Sequence, residues 1–170
     1  INLANGSETR LTSNEFDNIQ PGWTPDGQAI LFVRARSPKL RLEPGDVFGV
    51  FAGGDVWRLD LASGTEERLV EEAFNPASAP DGHHITFDAT RSGTRRIWIA
   101  DDHGRNAQQL SLDSSEAVTH VAPRWSPDGS RIVFQKIERT RFDIRVVEVA
   151  TRAARPVTDD AFRDLQPAWA

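Results

Sequence analysis

Alternating apolar and polar residues recur in short runs along the 170-residue chain. In three places an isoleucine and a phenylalanine stand two positions apart, in the pairs Ile30 and Phe32, Ile85 and Phe87, and Ile132 and Phe134. A second short run follows each pair, at residues 56–60, 97–101 and 144–148. Period-two alternation is typical of β-strands, and no segment shows a competing helical period. The pattern therefore predicts an all-β fold.

A Pro-Asp-Gly turn precedes each isoleucine–phenylalanine pair at a fixed distance. The three copies are Trp23-Thr24-Pro25-Asp26-Gly27, Ser78-Ala79-Pro80-Asp81-Gly82 and Trp125-Ser126-Pro127-Asp128-Gly129. Proline presets φ, aspartate can accept a hydrogen bond from the backbone ahead, and glycine adopts the positive φ that closes a hairpin. The motif therefore predicts a tight reversal between the first two strands of each copy.

Each copy of the repeat contains four predicted strands, which is the number needed for a four-stranded meander. A third strand follows the Ile-x-Phe strand, and a short fourth strand ends near Leu69, Leu110 or Val157. A meander of this size cannot bury both faces alone, so it must stack against copies of itself. The motif glycines are 55 and 47 residues apart, close to the length of a propeller blade. We therefore predict a β-propeller built of four-stranded antiparallel blades.

The combined pattern Pro-x-Trp-Ser-Pro-Asp-Gly-x-x-Ile-x-Phe, followed by Ile-Trp and a terminal Leu-Thr, resembles the TolB-type repeat, a Pro-Asp relative of the WD repeat. The resemblance covers essentially the whole chain. Two positions depart from it: Ser78 replaces the motif tryptophan, and Arg145 stands where other copies have Trp57 and Trp98. Both departures suggest locally altered packing. The motif residues form hairpins and core, so they indicate the fold much more strongly than a function.

The repeat divides the chain into five parts. Residues 1–12 match residues 60–70 and are predicted to be the last strand of a preceding blade. Residues 13–70 form a blade with an inserted loop at 34–54, residues 71–111 and 112–158 form two more, and residues 159–170 begin a following blade. These are three complete blades, and the resemblance implies a parent of six or more. An isolated segment of this kind is expected to self-associate, because raw blade faces need capping.

Composition narrows the classes of partner. The formal charge of −5 and the pI near 5.4 argue against nucleic acid, because phosphate binding needs a concentrated basic field. The chain has no cysteine, so disulfides, thiolate zinc sites and thiol nucleophiles are excluded. No apolar run approaches the roughly 20 residues that a membrane helix needs, and no membrane insertion is predicted.

We find no sequence signature of catalysis, of a metal site or of a cofactor. The nucleophile motif Gly-x-Ser-x-Gly is missing from the sequence. The run Asp101–Asn106 resembles the start of a calcium loop but lacks the distal glutamate. His83 and His84 are adjacent on a predicted strand, so their side chains point to opposite faces. We therefore assign no catalytic residue, no metal ligand and no cofactor.

Partner-binding candidates lie where the linkers between blades enter the innermost strands. Gln20, Asn75 and Gln166 stand just before a repeat proline, and an amide offers both donors and an acceptor to a peptide backbone. The alternative is that these amides bond the neighbouring blade. His120 and Arg124 flank the equivalent position of the third copy and complete this candidate set.

The inserted loop of the first blade is the largest irregularity. It begins with Arg34, Arg36, Lys39 and Arg41 and continues to an apolar run that contains Phe48 and Phe51. Apolar residues in a glycine-flanked loop either pack against the blade or await a partner. We include Phe48 and Phe51 among the partner-binding candidates. Packing against the blade is the alternative interpretation for both.

These observations favour a non-catalytic binding propeller that takes a protein or peptide partner at its channel mouth. The TolB resemblance implies a bacterial, periplasmic or otherwise extracytoplasmic setting. One alternative is a substrate-gating propeller of a prolyl-oligopeptidase-like serine peptidase whose catalytic domain lies outside this chain. Another is the sensor domain of a regulator or kinase. The flanking sequence would distinguish the three.

Overall fold

The computed structural model describes residues 1–42 and 53–169, and this part contains three four-stranded antiparallel sheets. The first blade consists of β1 (Asn18–Trp23), β2 (Ala29–Ala35), β3 (Gly54–Asp60) and β4 (Glu66–Val70). The second consists of β5 (Ala73–Ser78), β6 (His84–Ala89), β7 (Arg96–Asp101) and β8 (Gln108–Gln109). The third consists of β9 (Val118–Trp125), β10 (Arg131–Glu138), β11 (Arg141–Glu148) and β12 (Ala154–Pro156).

Every blade is a simple up-and-down meander. The strands of each sheet are hydrogen-bonded in chain order, so the first and fourth strands are the two edges. The predicted strands are in register: Phe32 pairs with Trp57, Phe87 with Trp98 and Phe134 with Arg145. The prediction of an all-β propeller made of four-stranded blades is thus confirmed for the described residues.

The blades stack through their apolar faces. Strand β5 packs against β1, β2 and β3, and β9 packs in the same way against β5, β6 and β7. Phe74 and Phe87 of the second blade share one buried cluster with Leu31 and Val33 of the first. A second cluster joins the second and third blades and includes Phe134. Each such fully buried side chain contributes roughly 1.5–3 kcal/mol, so the junctions hold the blades together.

The two ends of the meander define two faces. On the hairpin face, each Pro-Asp-Gly turn is bonded to the turn between its third and fourth strands: Leu61 N–H donates to Gln28 O, Asp102 N–H to His83 O and Val149 N–H to Ser130 O. The opposite, linker face carries the connections between second and third strands and the linkers between blades. The predicted arrangement of turns is therefore observed.

Each first strand begins with a β-bulge at the residue before the repeat proline. Gln20, Asn75 and Ala122 have φ values of 54°, 51° and 55°, and the strand register shifts at this point. Left-handed backbone costs a non-glycine residue roughly 1–2 kcal/mol. Gln166 has the same conformation, with φ of 53°. The bulge turns one N–H out of the ladder, toward the preceding blade.

The chain ends reproduce local features of the blades. In residues 1–12, Asn2 N–H donates to Ser7 O and Gly6 N–H to Asn2 O, the same pair of bonds that closes the Asp60 turn of the first blade. These residues form no strand in the described part of the chain. At the other end, the Trp169 indole donates to Arg124 O, as the Trp125 indole donates to Ala77 O. The turn at residues 2–7 and the Trp169 bond thus match single positions of the blades, while the strand predicted for residues 1–12 is not formed.

Candidate functional site

A groove of about 480 Å³ runs along the edges of the first strands. We call it the channel groove and define it by Gln20–Trp23, Asn75–Ser78, Ala122, Arg124 and Gln166–Ala168. Its wall is mainly proline, small residues and amides. Arg124 is the one charged residue among the described residues that line it. The groove therefore combines hydrogen-bonding capacity with a single positive charge.

The structure brings Gln20, Asn75, Arg124 and Gln166 together in this groove, as the repeat positions indicated. Two of the three amides are nevertheless engaged within the protein. Gln20 Oε1 accepts from Asn75 N–H at 2.7 Å, and Asn75 Nδ2 donates to Asp88 Oδ2 at 2.7 Å. The bonds to the neighbouring strand and blade therefore occupy part of the amide capacity that a partner would use.

A side-chain acceptor joins each blade to the bulge that follows it. Ala122 N–H donates to Asp88 Oδ2 at 3.0 Å, and Gln166 N–H donates to Gln135 Oε1 at 3.3 Å. Asp88 and Gln135 directly follow the phenylalanine of their second strand. The equivalent residue of the first blade is Val33, which has no acceptor, and there Gln20 supplies the acceptor instead. Sequence reasoning missed Asp88 and Gln135; the only signal was a polar residue in an otherwise apolar strand.

Asp88 is a buried carboxylate at the junction between the second and third blades. It is fully buried, and Arg95 donates to Oδ1 while Asn75 and Ala122 donate to Oδ2. Burial raises the pKa of Asp88, and the Arg95 charge and these hydrogen bonds oppose that rise. The Arg95 guanidinium also stacks on Phe74 at 4.9 Å. A buried pair with this many donors fixes the relative position of the blades more than it provides a binding site.

His120 lies in the core and not at the surface of the groove. Its ring packs 4.8 Å from the Phe134 ring, and Nδ1 lies 2.8 Å from Ser111 Oγ. Nε2 lies 3.8 Å from Asp113 Oδ2. Burial lowers the pKa of His120 to about 3, with Arg96 adding to the fall and Asp113 opposing it. His120 is only 3% exposed, so we leave it out of the binding surface.

The Ser111, His120 and Asp113 side chains resemble a catalytic triad in composition only. Ser111 is fully buried, and its Oγ accepts a hydrogen bond from Ile97 N–H. A catalytic nucleophile must reach a substrate carbonyl. The Ser111 hydroxyl instead bonds the backbone of β7 at a point where the residues after β8 pair irregularly with it. Thr158 Oγ1 accepts from Ile144 N–H in the same way in the third blade. The trio is therefore a structural element of the blade.

Arg124 and Gln166 are the candidates whose side chains remain directed to the groove without a bond to another blade. Arg124 is exposed, and its Nη1 donates only to the adjacent Pro123 O. The Gln166 side chain makes no hydrogen bond to any described residue, although its backbone N–H bonds Gln135. These two residues are the available polar groups of the groove.

Phe48 and Phe51 lie outside the described residues, so their part in binding stays a prediction. The described start of the insertion packs against the blade, since Leu42 is buried and Leu40 joins the same cluster. The predicted loop boundary is corrected: β2 continues to Ala35, and Arg34 is a buried strand residue that forms a two-pronged pair with Glu66 at 2.6 Å.

The basic stretch of the insertion is neutralised within the protein. Arg36 pairs with Asp55 and Glu72, at 2.7 and 2.9 Å, and Arg41 pairs with Asp17 at 2.7 Å. These pairs leave no concentrated positive patch along residues 34–42. Among the described residues, no three His, Cys, Asp or Glu side chains are close enough to hold a metal ion, and no helix is long and apolar enough to cross a membrane.

Two curated proteins are similar to this chain in sequence. An uncharacterised protein of Agrobacterium fabrum is 28% identical over 141 residues, which cover 81% of this chain and 42% of the relative. The Tol-Pal system protein TolB of Anaeromyxobacter dehalogenans is 29% identical over 137 residues, which cover 75% of this chain and 31% of the relative. The chain thus spans less than half the length of these relatives. No family model matches it.

Solved structures agree on the fold. TolB from Acinetobacter baumannii superposes with a TM-score of 0.72 at 17% identity, covering 95% of this chain and 37% of that one. An oligogalacturonate lyase in complex with manganese gives 0.67 at 17% identity, covering 92% and 46%. An acylaminoacyl peptidase from Pyrococcus horikoshii gives 0.55 at 16% identity, covering 84% and 25%. TolB and two enzymes thus share this architecture, which by itself assigns no function.

The fold defines a class first: the described residues are consecutive blades of a β-propeller. Within that class the Pro-Asp-Gly repeats are similar to those of TolB-type β-propellers, and the relatives named TolB support this resemblance.

Proposed function

We propose that this chain is part of a non-catalytic propeller that binds a protein or peptide in its channel groove. The observation that carries the proposal is the groove itself, in which Arg124 and Gln166 are exposed to a ligand while the other polar groups hold the wall in place. A rigid wall with a few directed polar groups is the usual form of a peptide-binding surface.

The chemistry of the groove favours a partner that presents a carboxylate. Arg124 provides the only charge on the described lining, and a guanidinium binds a carboxylate through paired, charge-assisted hydrogen bonds. Gln166 adds a donor and an acceptor for an extended backbone. We therefore propose a peptide C-terminus, or an acidic side chain in an extended segment, as the bound group. Relatives named Tol-Pal system proteins support an extracytoplasmic setting for this binding.

The first test compares Arg124→Gln with the unaltered protein in binding peptides. The probes are a panel of extended peptides with a free C-terminal carboxylate and the same peptides as C-terminal amides. We expect the protein to prefer the free carboxylates and Arg124→Gln to weaken their binding about tenfold or more, as the loss of a charged hydrogen-bonding partner does.

The matched control is Arg105→Gln, the same change at an exposed arginine of the hairpin face. It should leave peptide affinity unchanged. Equal binding of carboxylates and amides, or equal losses in the two variants, would count against the channel groove as the binding site.

A gating propeller of a serine peptidase is the second candidate. The observation that favours it is the superposition on the Pyrococcus horikoshii acylaminoacyl peptidase. The same groove would then admit peptides to a neighbouring active site. A fluorophosphonate probe applied to the longest form of the protein distinguishes the two functions. Stoichiometric labelling of a serine would support the peptidase, whereas no labelling is expected of a binding propeller.

A further inference from the structure

One blade junction lacks the tryptophan that fills the other two. In the third blade the Trp125 indole donates to Ala77 O of the second blade at 3.2 Å. The Trp169 indole repeats this bond one junction later, to Arg124 O at 3.0 Å. At the junction between the first and second blades the equivalent residue is Ser78, and the equivalent carbonyl belongs to Gly22.

An open cleft marks the position of the missing indole. It has a volume of about 480 Å³ and lies between the first two blades, with Leu31 and Pro25 on one wall and Ser78 and Ile85 on the other. Ile132, which is the residue equivalent to Ile85, belongs to the cluster against which Trp125 packs. On the wall formed by Ile85 the cleft thus has the apolar residue that accompanies an indole in the next junction. Its volume is in the range of small-molecule sites.

The charges around this cleft are unequal. Asp26, Asp81 and Asp102 line it together with Arg58 as the one arginine. A hydrogen bond from the Thr24 hydroxyl lowers the pKa of Asp26, which keeps that carboxylate ionised at neutral pH. Asp26 and Asp81 also accept bonds within their own turns, whereas the Asp102 carboxylate accepts none from the described residues. Asp102 is therefore the acceptor that is available to a ligand.

Arg58 supplies a second feature that suits an aromatic ligand. Its Nε is buried and has no hydrogen-bond partner among the described residues. In the last junction Arg131 stacks over the Trp169 ring, with Cζ 4.9 Å from the ring centroid. Stacking of a guanidinium on an aromatic face stabilises both, and most strongly with an indole.

We propose that the cleft at Ser78 binds a small aromatic ammonium compound of indole size. The ring occupies the place that Trp125 and Trp169 occupy in the other junctions, between Pro25 and Ile85. The ammonium group faces Asp102. Both walls belong to described blades, and Ser78 also borders the channel groove that contains Arg124.

Tryptamine is the probe, and indole-3-propionate is the control with the same ring and the opposite charge. Binding to the purified protein is measured by titration calorimetry and by ligand-observed NMR. We expect tryptamine to bind and indole-3-propionate to bind at least several-fold more weakly. Failure of tryptamine to bind, or equal affinity of the two ligands, would overturn the proposal.

Two variants locate the binding. Ser78→Trp restores the repeat residue and fills the cleft, so tryptamine affinity should fall about tenfold or more. Ser78→Ala leaves the cleft open and should bind as the unaltered protein does. Retained binding in Ser78→Trp would show that the ligand sits elsewhere.

Asp102→Asn keeps the test decisive if Ser78→Trp does not fold. Because the Asp102 side chain makes no bond to the described residues, this change should preserve the fold, weaken tryptamine several-fold and not weaken indole-3-propionate, whose carboxylate it no longer repels. Arg124→Gln should not alter tryptamine binding, so failure of this site and failure of the channel groove are separate results. Unchanged tryptamine affinity in Asp102→Asn would contradict the proposed orientation.

Discussion

Single side chains set the spacing of the blades by accepting one backbone N–H from the following bulge. Asp88 and Gln135 do this from the second strand, and Gln20 does it from the first strand where Val33 cannot. A buried N–H without a hydrogen-bond partner costs about 1–3 kcal/mol. Each acceptor therefore stabilises its junction, although the acceptors stand at different positions of the repeat. The same need is met by an aspartate and two glutamines at two different repeat positions, so a search for one repeated residue does not find it.

The buried histidine gives the first prediction at this scale. The folded-state pKa of His120 is about 3, against an ordinary value of 6.5. Below pH 6.5 His120 takes up a proton in the unfolded chain but not in the folded protein. The contribution of His120 to the free energy of unfolding is therefore fully present above pH 6.5 and is lost as the pH falls toward 3. The loss between pH 7 and pH 5 should be about 2 kcal/mol.

The measurement is the free energy of urea unfolding of the protein and of His120→Asn across this pH range. Asparagine is the residue at the equivalent position of the first blade, Asn18. The difference between the two curves should shrink by about 2 kcal/mol from pH 7 to pH 5. The exposed His103→Asn is the control, because it removes an imidazole that is not part of the core. A His120→Asn curve that is parallel to that of the unaltered protein would show that His120 is protonated in the folded state.

At the level of strands and junctions, the bulge at Gln20 allows a direct test of the hydrogen bond between Asn75 N–H and the Gln20 side-chain oxygen. Gln20→Leu removes the acceptor for Asn75 N–H and should lower the free energy of unfolding by about 1–2 kcal/mol. Gln166→Leu is a close control, because Gln166 has nearly the same φ and its side chain bonds no described residue. Both variants are unfolded in urea. Equal losses would mean that the effect comes from the strained backbone and not from the hydrogen bond.

Strand order and hairpins could be predicted because their causes are local in sequence. Pro25-Asp26-Gly27 specifies its turn with its own atoms: Asp26 Oδ1 accepts from Gln28 N–H at 3.0 Å, as turn chemistry requires. The bulge at Ala122 could not be predicted, since alanine gives no signal for positive φ. The burial of His120 and the role of Asp88 depend on neighbours from other strands, which no spacing within one repeat reveals.

The position of the amides on the first strands could be predicted from the repeat, whereas their hydrogen bonds could not. Gln20 and Asn75 line the channel groove as expected, yet their amides are also used inside the protein. The departure at Ser78 was visible as a missing tryptophan. That it opens a cleft of about 480 Å³ depends on the facing walls of two blades, which only the assembled structure brings together.

At the level of the whole molecule, the two proposed binding sites meet at Ser78, which lines both of them. The channel groove carries one positive charge, and the cleft at Ser78 is bordered by three carboxylates. Their preferences should therefore be opposite, with anionic groups at Arg124 and cationic groups at Asp102. Because the groups proposed to bind the two ligands, Arg124 and Asp102, are different residues, occupancy of one site should change affinity at the other only through the shared wall at Ser78.

The last prediction concerns Trp23, which is the first-blade equivalent of Trp125 and Trp169. It is 65% exposed, and its indole bonds no described residue, whereas the other two donate to the preceding blade. We propose that another blade covers Trp23 in the parent protein, as the TolB-type repeat implies. Residues 1–170 alone should then self-associate through this face, and light scattering should report a mass that rises with concentration. Trp23→Ser, which installs the residue found at position 78, should reduce the association, because it removes an exposed ring that makes no hydrogen bond to the described residues. Trp125→Ser is the contrasting change and should lower stability, since that ring packs between two described blades. A monodisperse monomer for the unaltered segment, at all concentrations, would contradict the proposed covering blade.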